Sequence, residues 1–278
     1  GCGHRGFLVE TNGALSFEEA AARRDFTINA MGYAFMEEAL LDPCQGQAHL
    51  QARLLRHVGP AFSEDPLRVL RAMQFAGRFG LRIATETIAL CREQDLAELP
   101  RERLWEEFRK LLLRSPHPSQ GLIYAGPLGI LPYFPELEAL HAANGGVRDE
   151  QGGADWTHTL AVADAAATQR TGQDSEDLPL MLAALCHRMG GHDTSERLKA
   201  VEGFLARLTN EVAVLKPTLA LVADLHTPEH LRSLTPDAVP GELRRLALRV
   251  PIPYLLRLTQ AHYLAGQTQA QPTTVETP

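Results

Sequence analysis

The chain has 278 residues, 45% of them apolar, a net charge of −7 and four cysteines. No run of about 18 or more uncharged apolar residues is present to span a membrane as a helix, and no charged-then-apolar leader with a small-residue cleavage site occurs. The acidic balance excludes a diffusely basic nucleic-acid coat. Cys2, Cys44, Cys91 and Cys186 form no CxxC pair, which excludes a zinc ribbon and a disulfide framework and leaves a cytoplasmic, reducing setting as the expectation.

Residues 1–58 read as β-rich fragments. "GFLVETNG" predicts a short strand closed by a turn, and "INAMGYAFMEEALLDP" predicts two strands joined by a tight acidic connection. Between them, Ser16 with Glu19 three positions on is a capping box opening a short helix. From Phe62 the pattern turns helical. Ser63 is the expected N-cap, Glu64 and Asp65 suit the positive helix end, and Pro66 fits a first turn. Leu67, Leu70, Gln74 and Phe75, with Phe79 beyond, make a mostly apolar stripe that Gly80 ends. "TETIALCREQDLAEL" and "RERLWEEFRKLLLRS" predict two further helices, and "GPLGILPYFPELEAL" a connector broken by Pro and Gly with a short helix. Glycine-rich residues 141–155 mark a linker. Helices are then expected in "HTLAVADAAATQR", "LPLMLAALCHRM", "TSERLKAVEGFLARL" and "EVAVLKPTLALVADLH", and a disordered polar tail over 265–278. The fold class is mainly α with a small β portion.

Charge is unevenly placed. Gln51 to Arg114 holds 12 basic and 9 acidic residues, against the negative total. Within it, Asp65 and Arg68 stand three apart at a helix start, a spacing that places two side chains on one face. A carboxylate accepts hydrogen bonds and a guanidinium donates them. Cytosine presents an amino donor beside the acceptor N3, and adenine an amino donor beside N1, so one Asp–Arg pair fits both. Uracil and guanine reverse both contacts. Each such bidentate pair discriminates by about 1–3 kcal/mol. The same spacing also suits an ordinary helix-start ion pair.

"RRDFTINAM" (Arg23 to Met31), "DPCQGQAHLQARLLRHV" (Asp42 to Val58), "EDPLRVLRAMQFAGRFG" and "RERLWEEFRKLL" follow one another at short intervals. Together they resemble the class II tRNA nucleotidyltransferase family, the CCA-adding enzymes and their bacterial poly(A) polymerase relatives. The resemblance implies a nucleotidyltransferase head over 1–58, a helical neck and RNA-binding body over 59–140, and, after the linker, a helical domain over 156–264. It implies that Arg24 and Asp25 meet the incoming nucleotide, the acid at a ribose hydroxyl, with Asn29 in the same motif. It makes Asp65 and Arg68 the base-reading pair and Arg71 a basic position one turn on. The expected partners are the tRNA 3′ end, CTP and ATP, with addition of C and/or A. A poly(A), CC-adding or A-adding enzyme of the same family, or a non-catalytic RNA-binding remnant, is the alternative. In the fourth motif Trp105, Leu112 and Leu113 are expected in the core, and Arg109 and Lys110 in solvent or on tRNA phosphate. His49 stands where relatives carry an acid.

Two departures matter. The family opens with a Gly-Gly-x-Val-Arg-Asp turn and an Asp-x-Asp pair holding two Mg²⁺, and residues 1–22 supply no such pair. "GGVRD" at Gly145 to Asp149 lacks one residue and follows no strand. The expectation is that the Mg²⁺ site belongs to a missing N-terminal segment, so that this chain binds nucleotide weakly and does not catalyse. Further on, "WTHTL" (His158) and "LAALCHRMGGHD" resemble an HD phosphohydrolase domain, whose His…His-Asp…Asp pattern holds a divalent metal. Here His187 is followed by Arg188, which removes a ligand and adds a cation. His192, Asp193, Asp224 and His226 are the remaining polar groups, and no metal ligands are assigned.

Overall fold

The structure, a computed structural model, describes residues 15–142, 155–191, 193–233, 235 and 237–269. The strand expected in "GFLVETNG", the "GGVRD" stretch and His192 lie outside the described residues. The mainly helical reading with a small β portion holds.

The Ser16–Glu19 box opens α1 (Phe17–Ala22), with both reciprocal bonds formed at 3.2 and 2.9 Å. A 3-10 turn over Thr27–Asn29 leads into the hairpin of β1 (Gly32–Ala34) and β2 (Ala39–Leu41), antiparallel with Tyr33 opposite Leu40. α2 (Gly46–Gln51) follows, its first N–H groups donating to the Asp42 carboxylate from Gly46 at 2.6 Å and Gln47 at 2.9 Å. β3 (Leu54–Leu55) pairs in parallel with β4 (Arg82–Ile83), and α3 (Leu67–Phe79) fills the crossover between them. Gly80 ends α3 in the left-handed conformation, φ 63°, as expected of a glycine stop.

α4 (Thr85–Arg92) is shorter than its sequence suggests. The Asp95 side chain accepts the Ala97 N–H at 2.9 Å, a local turn that competes with helical continuation. α5 (Arg101–Arg114), α6 (Ser119–Leu122) and α7 (Pro135–Ala142) complete this half. The second half contains α8 (Asp155–Ala167), α9 (Asp174–Cys186), α10 (Thr194–Leu208), α11 (Val212–Asp224), α12 (Thr227–Ser233), α13 (Val239–Arg249) and α14 (Ile252–Gln269). The expected tail is corrected at its start: Ala265 is buried, and α14 continues past it to Gln269.

One hydrophobic cluster runs from Phe26 to Ala265 through both halves. Phe26, Phe62 and Phe75 pack edge-on or tilted beneath α3, with ring centroids 5.4 to 5.7 Å apart. Phe108, Phe134 and Phe204 make a second aromatic knot joining α5 to α10. Trp105, Leu112 and Leu113 are buried as expected, whereas Phe79 is 43% exposed and leans on Phe75. Among the described residues no helix is long and apolar enough to cross a membrane, and Cys44, Cys91 and Cys186 are free thiols.

Candidate functional site

A cleft of about 480 Å³ opens where the segment after α1 meets the first turns of α3 and one face of α5. Six basic and five acidic side chains line it, so its charge is nearly balanced and the pairing decides what remains available.

Asp65 and Arg68 both face this cleft, but not as two residues of one helix. The ring of Pro66 disfavours the α conformation in the residue before it. Asp65 therefore adopts φ −137° and ψ 100°, and α3 begins two residues later. This corrects the expected Ser63 cap. Pro60–Glu64 form a 3-10 turn, and Asp65 itself caps α3, its Oδ1 accepting the Leu67 N–H at 3.1 Å. Its Oδ2 accepts Arg103 Nη2 from α5 at 2.7 Å. A carboxylate has about four lone-pair sites, so Asp65 keeps acceptor capacity. Arg68 donates to the backbone carbonyls of Ala61 and, at 2.8 Å, Arg23. Those bonds hold the guanidinium in place and leave three of its five N–H groups.

Asp25 is buried and saturated. Its Oδ1 accepts the Phe26 N–H at 2.8 Å and Asn29 Nδ2 at 3.1 Å, and its Oδ2 accepts Arg71 Nε at 2.7 Å with Arg71 Nη2 at 2.6 Å. Asn29 thus supports Asp25 from behind rather than lining the cleft. Arg71 also lies 3.8 Å from Glu107, which Lys110 meets at 3.0 Å. Glu107 is 2% exposed, and its Oε2 has no hydrogen-bond partner. Arg24 is exposed at the rim, and among the described residues its guanidinium shows no hydrogen bond or ion pair.

Residues 6–56 match the model of the poly A polymerase head domain, and residues 80–140 match that of the probable RNA and SrmB- binding site of polymerase A. The multifunctional CCA protein of Stenotrophomonas maltophilia (strain K279a) is 40% identical over 241 residues, 83% of this chain and 56% of the relative. That of Xanthomonas campestris pv. campestris (strain B100) is 37% identical over 246 residues, 86% of this chain and 58% of the relative. The chain belongs to the tRNA nucleotidyltransferase and poly(A) polymerase family. It spans a little over half the length of these curated relatives. A CCA-adding enzyme solved with CTP superposes with a TM-score of 0.55 at 20% identity, over 90% of this chain and 56% of that one. A tRNA nucleotidyltransferase solved with a primer tRNA and an incoming ATP analogue gives 0.53 at 22%, over 94% and 73%. These two likenesses speak for the fold.

Within this nucleotidyltransferase frame, five of the six nucleotide-site residues expected from sequence line one cleft: Arg24, Asp25, Asp65, Arg68 and Arg71. Sequence reading did not place Arg103 and Glu107 at the cleft, and it expected Lys110 in solvent or on tRNA phosphate, whereas Lys110 borders the cleft beside Glu107. Their only signal was membership of the fourth motif, since α5 meets α3 through packing that spacing does not encode. Arg109 is fastened to Asp174 of α9 at 2.8 Å. His49, the local departure from relatives, bonds Thr27 Oγ1 at 3.0 Å. The Mg²⁺ ions that the resemblance implies do not fit this cleft. Asp25, Asp65 and Glu107 each already hold a cationic side chain, and no three-ligand carboxylate group occurs there among the described residues.

The polar groups of the HD-like region, to which no metal was assigned, are dispersed. Asp193 caps α10 through the Glu196 N–H, and Asp224 is paired with Arg249 at 2.8 Å, so neither joins a ligand group. Arg188 is tied to Asp155. His158 and His187 do meet, and a third imidazole, His262 of α14, joins them.

Proposed function

We propose that this chain carries the base-reading part of a tRNA nucleotidyltransferase that adds C and A to tRNA 3′ ends without a nucleic-acid template. The observation that carries it is the common exposure of Asp65 and Arg68 in one cleft, each fixed by some of its hydrogen-bonding capacity and open with the rest. Asp65 accepts the exocyclic amino group of cytosine or adenine, and Arg68 donates to N3 or N1. Arg24, which has no acidic partner among the described residues, meets the triphosphate. Asp25 has no lone-pair site left, so its work is to aim Arg71.

The test is titration of the purified chain with each of the four nucleoside triphosphates. CTP and ATP are expected to bind more tightly than UTP and GTP. Asp65→Ala or Arg68→Ala is expected to erase about 5- to 150-fold of that preference, the equivalent of one bidentate contact. A chain that binds all four alike, or variants that lose all four alike while the preference persists, would overturn the base-reading role. Preference for ATP alone would instead support the poly(A) or A-adding member of the family.

Nucleotidyl transfer uses metal ions to clamp the attacking and leaving oxygens. Among the described residues the cleft offers no cation-free carboxylate pair, and on that ground the chain as given binds nucleotide without transferring it. Incubation with radiolabelled CTP or ATP and a tRNA lacking its 3′ end is expected to give no incorporation. Measurable incorporation would reject this half of the proposal and leave the base-reading half standing.

A further inference from the structure

The excess of positive charge between Gln51 and Arg114 is only partly absorbed by the cleft. Of the 12 basic side chains in that stretch, Arg68, Arg71, Arg103 and Lys110 line the cleft, and Arg56, Arg101, Arg109 and Arg114 each meet an acid. Arg53, Arg78, Arg82 and Arg92 remain. All four are exposed, and among the described residues their side chains show no ion pair or hydrogen bond.

Three of them gather at one turn, where Gly80 ends α3. Arg78 stands two residues before Gly80 and Arg82 two residues after it. Arg53 arrives from the residue before β3, and a Cβ placed on Gly80 would stand 3.7 Å from its Nη1. The mounting is rigid. The Arg82 N–H donates to the Arg53 carbonyl at 2.9 Å, and β3 pairs with β4 beside it. The Arg78 guanidinium lies 5.0 Å from the centre of the Phe79 ring, a stacking that fixes its plane and uses none of its N–H groups. The C-terminal end of α3 offsets about half a charge, so most of the excess faces solvent.

We propose that Arg53, Arg78 and Arg82 hold the phosphate backbone of an RNA strand whose 3′ end lies in the cleft. α3 joins the two places. Leu67, Arg68 and Arg71 border the cleft at its start, and its 13 residues, at about 1.5 Å each, set the arginine turn about 20 Å away. A single nucleotide in the cleft cannot reach that turn, whereas a strand of several nucleotides can. All three cations are arginines, whose planar forks meet phosphate oxygens in pairs. Continuity with the cleft along one helix favours RNA over an anionic membrane, which has no reason to lie in line with a nucleotide site. The inference rests on the reading that an RNA 3′ end enters the cleft, and it adds the surface that carries the rest of that molecule.

A tRNA lacking its 3′ end, with a fluorophore at its 5′ end, is titrated with the chain over a range of salt concentrations, and CTP is titrated beside it. Arg78→Ala and Arg82→Ala are each expected to weaken RNA binding and to lower the slope of log K against log salt by about 0.7–0.9, one phosphate contact apiece. Arg82→Lys keeps the charge and is expected to keep the slope. CTP affinity should be unchanged in all three variants. No RNA binding, alanine variants with the parent slope, or a fall in CTP affinity in step with RNA would overturn the proposal. Weakened adhesion to phosphatidylserine vesicles with RNA binding intact would assign the patch to a membrane and overturn it too. A lost slope in a chain that prefers no nucleotide would reject base reading alone and leave this surface standing.

Discussion

Asp25 organises four donors around one buried carboxylate, and the consequence is a fixed Arg71. His57, whose ring packs edge-on against Phe62, shows the same economy. Its backbone N–H donates to Thr87 Oγ1 at 3.1 Å, and its Nδ1 lies 2.8 Å from the same oxygen. Burial lowers its pKa below the ordinary 6.5, with Arg56 adding to the shift and Glu86 opposing it. Between the folded value and 6.5 the unfolded chain holds the extra proton, so stability rises with pH there. The contribution is present above 6.5 and fades as pH falls through the folded value. In an NMR titration the His57 ring is expected to titrate below 6.5, and a midpoint at or above 6.5 would contradict the burial argument. At this scale the resemblance of the motifs pointed to residues of which five of six line one cleft. Arg103 was not among them: it meets Asp65 from 38 positions away, and only the docking of α5 on α3 brings it there.

Helix α3 was legible in its apolar stripe and its glycine stop, and misread at its start. The restriction that Pro66 places on Asp65 outweighed the capping preference of Ser63. The two-residue strands β3 and β4 and the single turn α6 are too short to carry a period and could not be read. α6 nevertheless matters to packing. Its Gly121 lies so close to α3 that an added Cβ would stand 2.5 Å from the Met73 carbonyl oxygen and 3.2 Å from the Gly77 Cα. Backbone cannot move aside as a flexible side chain can. Gly121→Ala is expected to destabilise the chain by about 1–3 kcal/mol, read as a lowered denaturant midpoint, since overpacking of a tight contact costs that much. An unchanged midpoint would mean that α6 shifts freely against α3.

Across the molecule the two halves are joined by more than the chain. Arg170, after α8, donates to the carbonyls of Leu112 at 3.0 Å and Ser115 at 2.8 Å, satisfying the C-terminal end of α5. Arg109 reaches Asp174, and the Trp105 indole N–H donates to Glu211 at 3.0 Å. With one hydrophobic cluster beneath these bonds, unfolding followed by circular dichroism and by fluorescence is expected to give a single coincident transition. Two separated transitions would show that the halves either side of the 141–155 stretch are independent. The four helices from Asp155 to Asp224 followed their apolar patterns, whereas α12, α13 and α14 were not individually read. In α14, residues such as Leu255, Leu258 and Ala261 are buried beside exposed neighbours, and that face gains meaning only against α8, α9 and α11. The Trp105–Glu211 bond has a practical corollary. The indole belongs to the same helix that lends Arg103 and Glu107 to the cleft, yet its N–H reports on a residue of the other half. With Trp156 replaced by Phe, the emission of Trp105 is expected to change if nucleotide in the cleft displaces α5, and an unchanged spectrum would mean that α5 stays fixed.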